Sequence, residues 1–146
     1  MPCYAKVMEA SLTRLADTGV ELRHGLYQRF FAAYPERVAA FLCPDATSRR
    51  MTDETLQILY GLACEEDWVW TLVAELVATH RSYGDLPLAE YDGFVDLLVE
   101  ELGQTLGAQW TPNCAAVWQR QAARLKAMIA KARADWDRIL PRTAAA

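Results

Sequence analysis

The residue in this chain best suited to chemistry is a histidine at the end of an apolar helical stripe. In the segment VWTLVAELVATH, the residues that recur with the spacing of one helical face are Val69, Leu72, Val73, Leu76, Val77 and His80. Burial of an imidazole is costly unless a ring nitrogen makes a hydrogen bond or binds a metal. The pattern therefore leaves two interpretations of His80: a core histidine bonded to a backbone carbonyl, or a ligand of a metal ion or haem iron.

The other histidine and the cysteines do not add a second candidate metal site. His24 lies beside the aromatic face of a predicted helix, and we interpret it as a surface residue. The four cysteines are Cys3, Cys43, Cys64 and Cys114. They are far apart in sequence and form no CxxC or other close pair of the zinc or redox type, so we expect reduced thiols.

The composition favours one domain with one core. The chain has 146 residues, of which 53% are hydrophobic and 23% charged. Its formal net charge of −4 argues against a general nucleic-acid binder, because neutralising phosphates requires a basic surface. No signal peptide or transmembrane segment is visible in the sequence, so we expect a cytoplasmic protein that does not associate with a membrane.

Hydrophobic periodicity predicts an all-α domain of about seven helices, with no segment that alternates like a strand. The predicted helices cover residues 6–16, 20–33, 35 to about 42, 51 or 52 to about 64, 69–80, 87–107 and 112 to about 140, with a loop at 46–48. Their unequal lengths favour steeply crossing helices over an even bundle. Gly61 lies inside the fourth predicted helix, where an interior glycine indicates close approach of another helix. We expect the tail from about residue 141 to fray.

Several segments together resemble a globin, specifically a bacterial single-domain globin or the haem domain of a flavohaemoglobin. They are, in order, DTGVELRHGLYQRFFAAYPERVAAF, TLQILYGLA, THRSYGDLPLAEYDGFVDLLVEELG and WTPNCAAVW. These segments cover almost the whole chain with nearly the family spacing. The resemblance implies a single globin domain over residues 1–146, one b-type haem, and binding of dioxygen, nitric oxide or carbon monoxide.

The resemblance assigns His80 as the proximal ligand of the haem iron. Leu76 lies one helical turn earlier, where its carbonyl could accept the other ring N–H, and the Thr79 hydroxyl is an alternative. Phe41 matches the phenylalanine that wedges against the porphyrin, although an ordinary core aromatic would show the same burial. The helix that follows His80 adds two aromatic residues to the predicted cofactor pocket, Tyr91 and Phe94.

On the distal side, Tyr27 matches the tyrosine typical of bacterial globins. A buried phenol needs a partner, which would be either a diatomic ligand with partial negative charge or a backbone carbonyl. Thr52 matches the position where the family usually has glutamine or histidine, with Met51 or Thr55 as alternatives because the preceding loop differs in length. Leu56 matches the apolar residue over the iron.

One departure from the family concerns the environment of the proximal histidine. In flavohaemoglobins a tyrosine and a glutamate form a hydrogen-bonded triad with that histidine. Tyr91 matches the tyrosine, displaced by one residue, but Arg133 occupies the position of the glutamate. Without the carboxylate the imidazole is less anionic, which disfavours electron donation of the peroxidase kind.

The resemblance leaves three classes of function open. The first is oxygen carriage or storage, or nitric-oxide dioxygenation with electrons from a separate reductase, because no flavin or nicotinamide domain is visible. The second is a globin-type sensor or interaction module that signals to a partner protein. The third is a haem enzyme of the peroxidase or dehaloperoxidase kind. We expect a monomer or a homodimer.

Overall fold

Helices make up all of the regular structure within residues 3–141, the part of the chain that the computed structural model describes. The α-helices are α1 (Cys3–Thr18), α2 (Leu22–Ala33), α3 (Pro44–Ala63), α4 (Trp68–His80), α5 (Leu88–Leu106) and α6 (Pro112–Ile139). Short 3₁₀ segments cover Pro35–Ala40, Arg81–Tyr83 and Gly107–Gln109. The predicted all-α class is therefore confirmed, and the expected fraying from about residue 141 concerns residues that lie almost entirely outside the described part.

The predicted loop at residues 46–48 is wrong, because α3 begins at Pro44 rather than at residue 51 or 52. Proline suits the first turn of a helix, where its missing N–H is not needed. Asp45 adds a carboxylate to the same turn, and this negative charge interacts favourably with the positive N-terminal end of the helix dipole. The Ser48 hydroxyl donates to the Asp45 carbonyl oxygen at 3.1 Å within the first turn of α3. The sequence CPDATS therefore starts a helix instead of forming a loop.

The helix predicted from residue 35 to about 42 is the shorter 3₁₀ segment Pro35–Ala40. Runs of 3₁₀ helix are short because their hydrogen bonds have poorer geometry. Pro44 also restricts the backbone of Cys43, which keeps this segment from joining α3. The remaining predicted helices are present, with ends shifted by at most three residues.

Helix α6 is the longest helix and packs against α1, α3, α4 and α5 around one hydrophobic core. Trp118 and Leu125 of α6 are fully buried in that core. The predicted close approach at Gly61 is confirmed: a Cβ added there would lie 2.7 Å from the Trp68 ring and 2.8 Å from Val69. Gly61 thus brings α4 close to α3. Within the described residues, no helix combines the length and the apolarity needed to cross a membrane.

Candidate functional site

A cavity of about 540 Å³ lies between α3, α4 and α5, beside the segment Pro35–Ala40. Its volume falls within the range of roughly 300–1,000 Å³ typical of ligand and cofactor sites. The apolar side chains that line it include Phe41, Met51, Ile58, Leu76, Tyr91 and Phe94. Such a lining suits a largely apolar ligand held by a few polar contacts.

His80 forms part of the cavity wall at the C-terminal end of α4. Its Nδ1 lies 2.7 Å from the Leu76 carbonyl oxygen, so this bond forms rather than the alternative bond with the Thr79 hydroxyl. A neutral imidazole whose Nδ1–H donates to a carbonyl keeps its lone pair on Nε2. Nε2 is therefore the nitrogen that can bind a metal ion.

Two tyrosines restrict the orientation of the His80 ring. The Tyr91 ring lies 5.7 Å from the imidazole in an edge-to-face arrangement, and the Tyr83 ring lies 6.2 Å away. Arg133 does not contact the imidazole: it donates to the Leu86 carbonyl at 2.5 Å and to Asp85 at 2.6 Å. The partner of the His80 Nδ1 atom is thus a backbone carbonyl and not a carboxylate.

Tyr27 does not itself line the cavity but packs behind two aromatic residues of the cavity wall. Its ring lies 5.5 Å from that of Phe41 and 5.7 Å from that of Phe94. The residue is 6% exposed, and its hydroxyl is buried without a hydrogen-bond partner in the described part of the chain. Burial raises the pKa of the Tyr27 phenol, and the positive charge of Arg50 opposes part of that shift. The alternative bond to a backbone carbonyl is not formed, so this donor remains available to a ligand.

Helix α3 presents Met51, Thr55 and Ile58 to the cavity, whereas Thr52 and Leu56 do not line it. Consecutive helical residues are rotated by about 100° around the axis, so Thr52 faces away from the side occupied by Met51. Thr52 is buried with an unpartnered hydroxyl, and Leu56 packs against the hydrophobic core. The alternatives Met51 and Thr55 are therefore the residues at the cavity. The Thr55 hydroxyl already donates to the Met51 carbonyl at 2.7 Å.

Charged residues around the cavity were not identified from the sequence. Arg37 joins the segment Pro35–Ala40 to α5 through two bonds to Glu90, of 2.6 and 2.7 Å. Arg50 also lines the cavity and forms no ion pair within residues 3–141. Glu54 and Glu75 on the same wall are acidic, and Arg37 is already paired with Glu90. Arg50 is therefore the cavity residue that suits an acidic substituent of a ligand. A sequence signal that could have identified Arg50 is its position directly before Met51, one of the alternatives predicted for the distal residue.

The remaining candidate ligands lie elsewhere. His24 is exposed, as predicted, and its Nε2 lies 3.2 Å from a carboxylate oxygen of Glu21. The four cysteines are unpaired thiols, and only Cys114 is buried. Among the described residues, no three histidine, cysteine or acidic side chains are grouped to hold a metal ion. A metal at this site would therefore have His80 as its main protein ligand.

No protein-family model matches this chain, and no curated protein sequence matches it significantly.

Proposed function

We propose that this chain is a globin-type protein that binds one b-type haem through His80 and reversibly binds a diatomic gas. The observation that carries the proposal is the position of His80 in the cavity wall, with Nδ1 held by the Leu76 carbonyl and Nε2 free for iron. Haem supplies the gas-binding and redox chemistry when it is bound. The side chains of the protein orient the ligands, set the polarity and limit access.

The lining of the cavity fits a flat, mostly apolar group with acidic substituents. Phe41, Tyr91 and Phe94 provide aromatic surfaces, and the volume of about 540 Å³ is sufficient for a large cofactor. Arg50 provides a cation for a carboxylate, since no other described side chain forms an ion pair with it. His80 would be the protein ligand of the metal, since no group of three or more metal-ligating side chains occurs among residues 3–141.

The Tyr27 hydroxyl supports binding of a gas that gains negative charge. It is a buried donor without a partner, and it adjoins the cavity wall through Phe41 and Phe94. A hydrogen bond to a charged acceptor contributes about 1.5–3 kcal/mol, more than a bond to a neutral one. We therefore expect the pocket to hold dioxygen more firmly than carbon monoxide, relative to a pocket without this phenol.

The partner of Nδ1 favours reversible gas binding over peroxidase-like catalysis. A carboxylate on Nδ1 would make the imidazole more anionic and increase its electron donation. In this chain Nδ1 bonds to the Leu76 carbonyl, and Arg133 binds the segment between α4 and α5 instead. The ligand of the iron would therefore be a neutral imidazole.

Absorption spectroscopy of the protein after addition of haemin tests the proposal. We expect stoichiometric uptake, with ferric, ferrous and carbon monoxide spectra typical of histidine-ligated haem. His80→Ala should sharply lower haem retention, whereas His24→Ala, the matched change of the other histidine, should behave like the wild type. Failure of the wild type to take up haem would exclude the proposed function. A normal ferrous spectrum of His80→Ala without added imidazole would exclude His80 as the ligand.

A further inference from the structure

The position of the Tyr27 hydroxyl depends on how its ring is held, because no hydrogen bond fixes it in the described part of the chain. The aromatic rings that contact it, at centroid distances of 5.5–6.0 Å, are those of Phe30, Phe31, Phe41 and Phe94. These contacts are apolar and do not by themselves select one orientation of the hydroxyl. Another feature must keep the ring in place against Phe41 and Phe94, which line the main cavity.

Tyr27 does not line the main cavity itself but lines a second, smaller cavity of about 320 Å³. This cavity lies at the N-terminal ends of α2 and α3, and its other walls include Arg23, Phe31, Pro44, Asp45 and Ser48. A space of this size next to an aromatic ring offers the ring an alternative position. Whether Tyr27 stays against Phe41 and Phe94 therefore depends on what holds α2 and α3 together at this end.

Arg23 connects the two helices there and lies one turn before Tyr27 on α2. Its Nη1 donates to the Asp45 carboxylate at 2.7 Å, to the Asp45 carbonyl at 3.1 Å and to the Ser48 hydroxyl at 3.1 Å. Its Nη2 lies 2.9 Å from Glu21, which directly precedes α2. The Arg23 side chain is only 9% exposed, whereas the carboxylates of Asp45 and Glu21 are partly open to solvent.

We infer that Arg23, through Asp45 and Ser48, positions the Tyr27 hydroxyl for the ligand in the main cavity. The inference rests on the proposed function, and it assigns Arg23 as a positioning residue that does not touch the ligand. Loss of the guanidinium would let the start of α3 move away from α2. The Tyr27 ring would then move further into the smaller cavity that it already lines, and its hydroxyl would move away from Phe41, Phe94 and the ligand.

Gas release from the haem-loaded protein gives the first measurement. Arg23→Met keeps much of the buried stem but removes the guanidinium, and Arg23→Lys restores the charge without the forked geometry. We expect Arg23→Met to speed dioxygen release by roughly threefold to tenfold and carbon monoxide release by less than about twofold, with Arg23→Lys in between. Arg49→Ala is the matched control, because Arg49 lies 3.6 Å from Glu21 but forms no hydrogen bond with Asp45 or Ser48. It should retain wild-type rates.

Nuclear magnetic resonance of the haem-free protein gives a second measurement, independent of gas binding. Tyrosine labelled with ¹³C at Cζ reports ionisation of each phenol, and Tyr27→Phe identifies the Tyr27 signal. In the wild type this phenol should resist ionisation at pH values near 10, where exposed tyrosines titrate. In Arg23→Met it should ionise at lower pH than in the wild type, because the ring is less buried.

Asp45→Ala is a second variant that tests the same link if Arg23→Met fails to fold, because the Asp45 side chain is 81% exposed. It should change the release rates and the Tyr27 signal in the same direction, but less. Unchanged gas release and an unchanged Tyr27 signal in both variants would overturn the inference, even if Tyr27→Phe still speeds dioxygen release and the proposed function stands. If the wild type takes up no haem, the proposed function fails, and the Tyr27 signal alone decides whether Arg23 positions this ring.

Discussion

The Nδ1 atom of His80 lies 2.7 Å from the carbonyl oxygen of Leu76, one turn earlier on α4. This bond selects the tautomer that directs the lone pair of Nε2 away from the helix backbone. Both partners belong to the same helix, so the bond forms as soon as α4 folds. Nε2 is therefore oriented by the protein itself. If His80 binds haem iron as proposed, exogenous imidazole should partly restore haem binding to His80→Ala, measured as recovery of the ferrous spectrum.

The haem-loaded ferrous protein should be mainly five-coordinate. Met51 and Thr55 face the cavity from α3, no second histidine lines it, and His24 lies on the surface. A threonine hydroxyl is a poor iron ligand, and the Met51 side chain would have to leave the apolar wall to bind. The ferrous absorption spectrum measures this directly. A low-spin spectrum that Met51→Leu converts to five-coordinate would contradict the prediction and identify Met51 as the sixth ligand.

Tyr27→Phe should speed dioxygen dissociation by roughly tenfold to a hundredfold, because it removes a donor worth about 1.5–3 kcal/mol to a charged acceptor. Carbon monoxide dissociation should change far less. Stopped-flow measurements of both rates decide the matter. Tyr34→Phe is a suitable control, since the Tyr34 hydroxyl already donates to the Ala89 carbonyl at 3.3 Å, whereas the Tyr27 hydroxyl has no partner within residues 3–141. Equal small changes for the two gases in Tyr27→Phe would mean that its hydroxyl does not reach the ligand.

Gly61→Ala should lower the free energy of unfolding by about 1–3 kcal/mol, the usual effect of overpacking a buried contact. The added methyl group would lie 2.7 Å from Trp68 and 2.8 Å from Val69, closer than van der Waals contact allows. Urea unfolding of the two proteins measures the difference. Gln57→Ala, at an exposed position of the same helix, should have little effect. Equal stability of Gly61→Ala and the wild type would show that α4 can move aside without cost.

The contribution of the Arg23 and Asp45 pair to stability should depend on pH. Arg23 lowers the pKa of the Asp45 carboxyl below its ordinary value of 3.8. The stabilising effect is therefore fully present above the unfolded-state pKa and is lost as the pH falls through the lower folded-state pKa. The difference in unfolding free energy between wild type and Arg23→Met should shrink as the pH falls below about 4. A difference that is constant down to the acid transition would mean that the Asp45 charge contributes nothing.

The hydrophobic pattern within single helices was sufficient to predict the helices around His80. The apolar spacing in α4 placed His80 on the core-facing side, and an acceptor one turn earlier follows from helix geometry. The burial of Tyr27 followed from the aromatic face of α2. These features depend on residues within one helix, so the sequence contains the information directly.

The distal wall could not be predicted as well, because it depends on the rotation of α3 and on contacts between distant segments. The sequence around Pro44 is typical of a turn, so the predicted start of α3 was seven or eight residues too late. The side of α3 that faces the cavity was therefore not predicted. The resemblance to globins assigned Thr52 to the distal position and left Met51 and Thr55 open, because the preceding loop differs in length. The approach of Arg50 to the Tyr27 phenol and the bonds of Arg23 to the start of α3 join residues more than twenty positions apart. No periodicity in the sequence reports such pairs.

The contact of Gly61 with Trp68 and Val69 also has an evolutionary consequence. The space above residue 61 is filled by side chains of α4, so the three positions cannot vary independently. Homologues with alanine or serine at position 61 should have a smaller residue at position 68 or 69 as a compensating substitution. Covariation at these positions would mark the lineages in which α3 and α4 keep the same separation, and with it the same place for the imidazole at the end of α4.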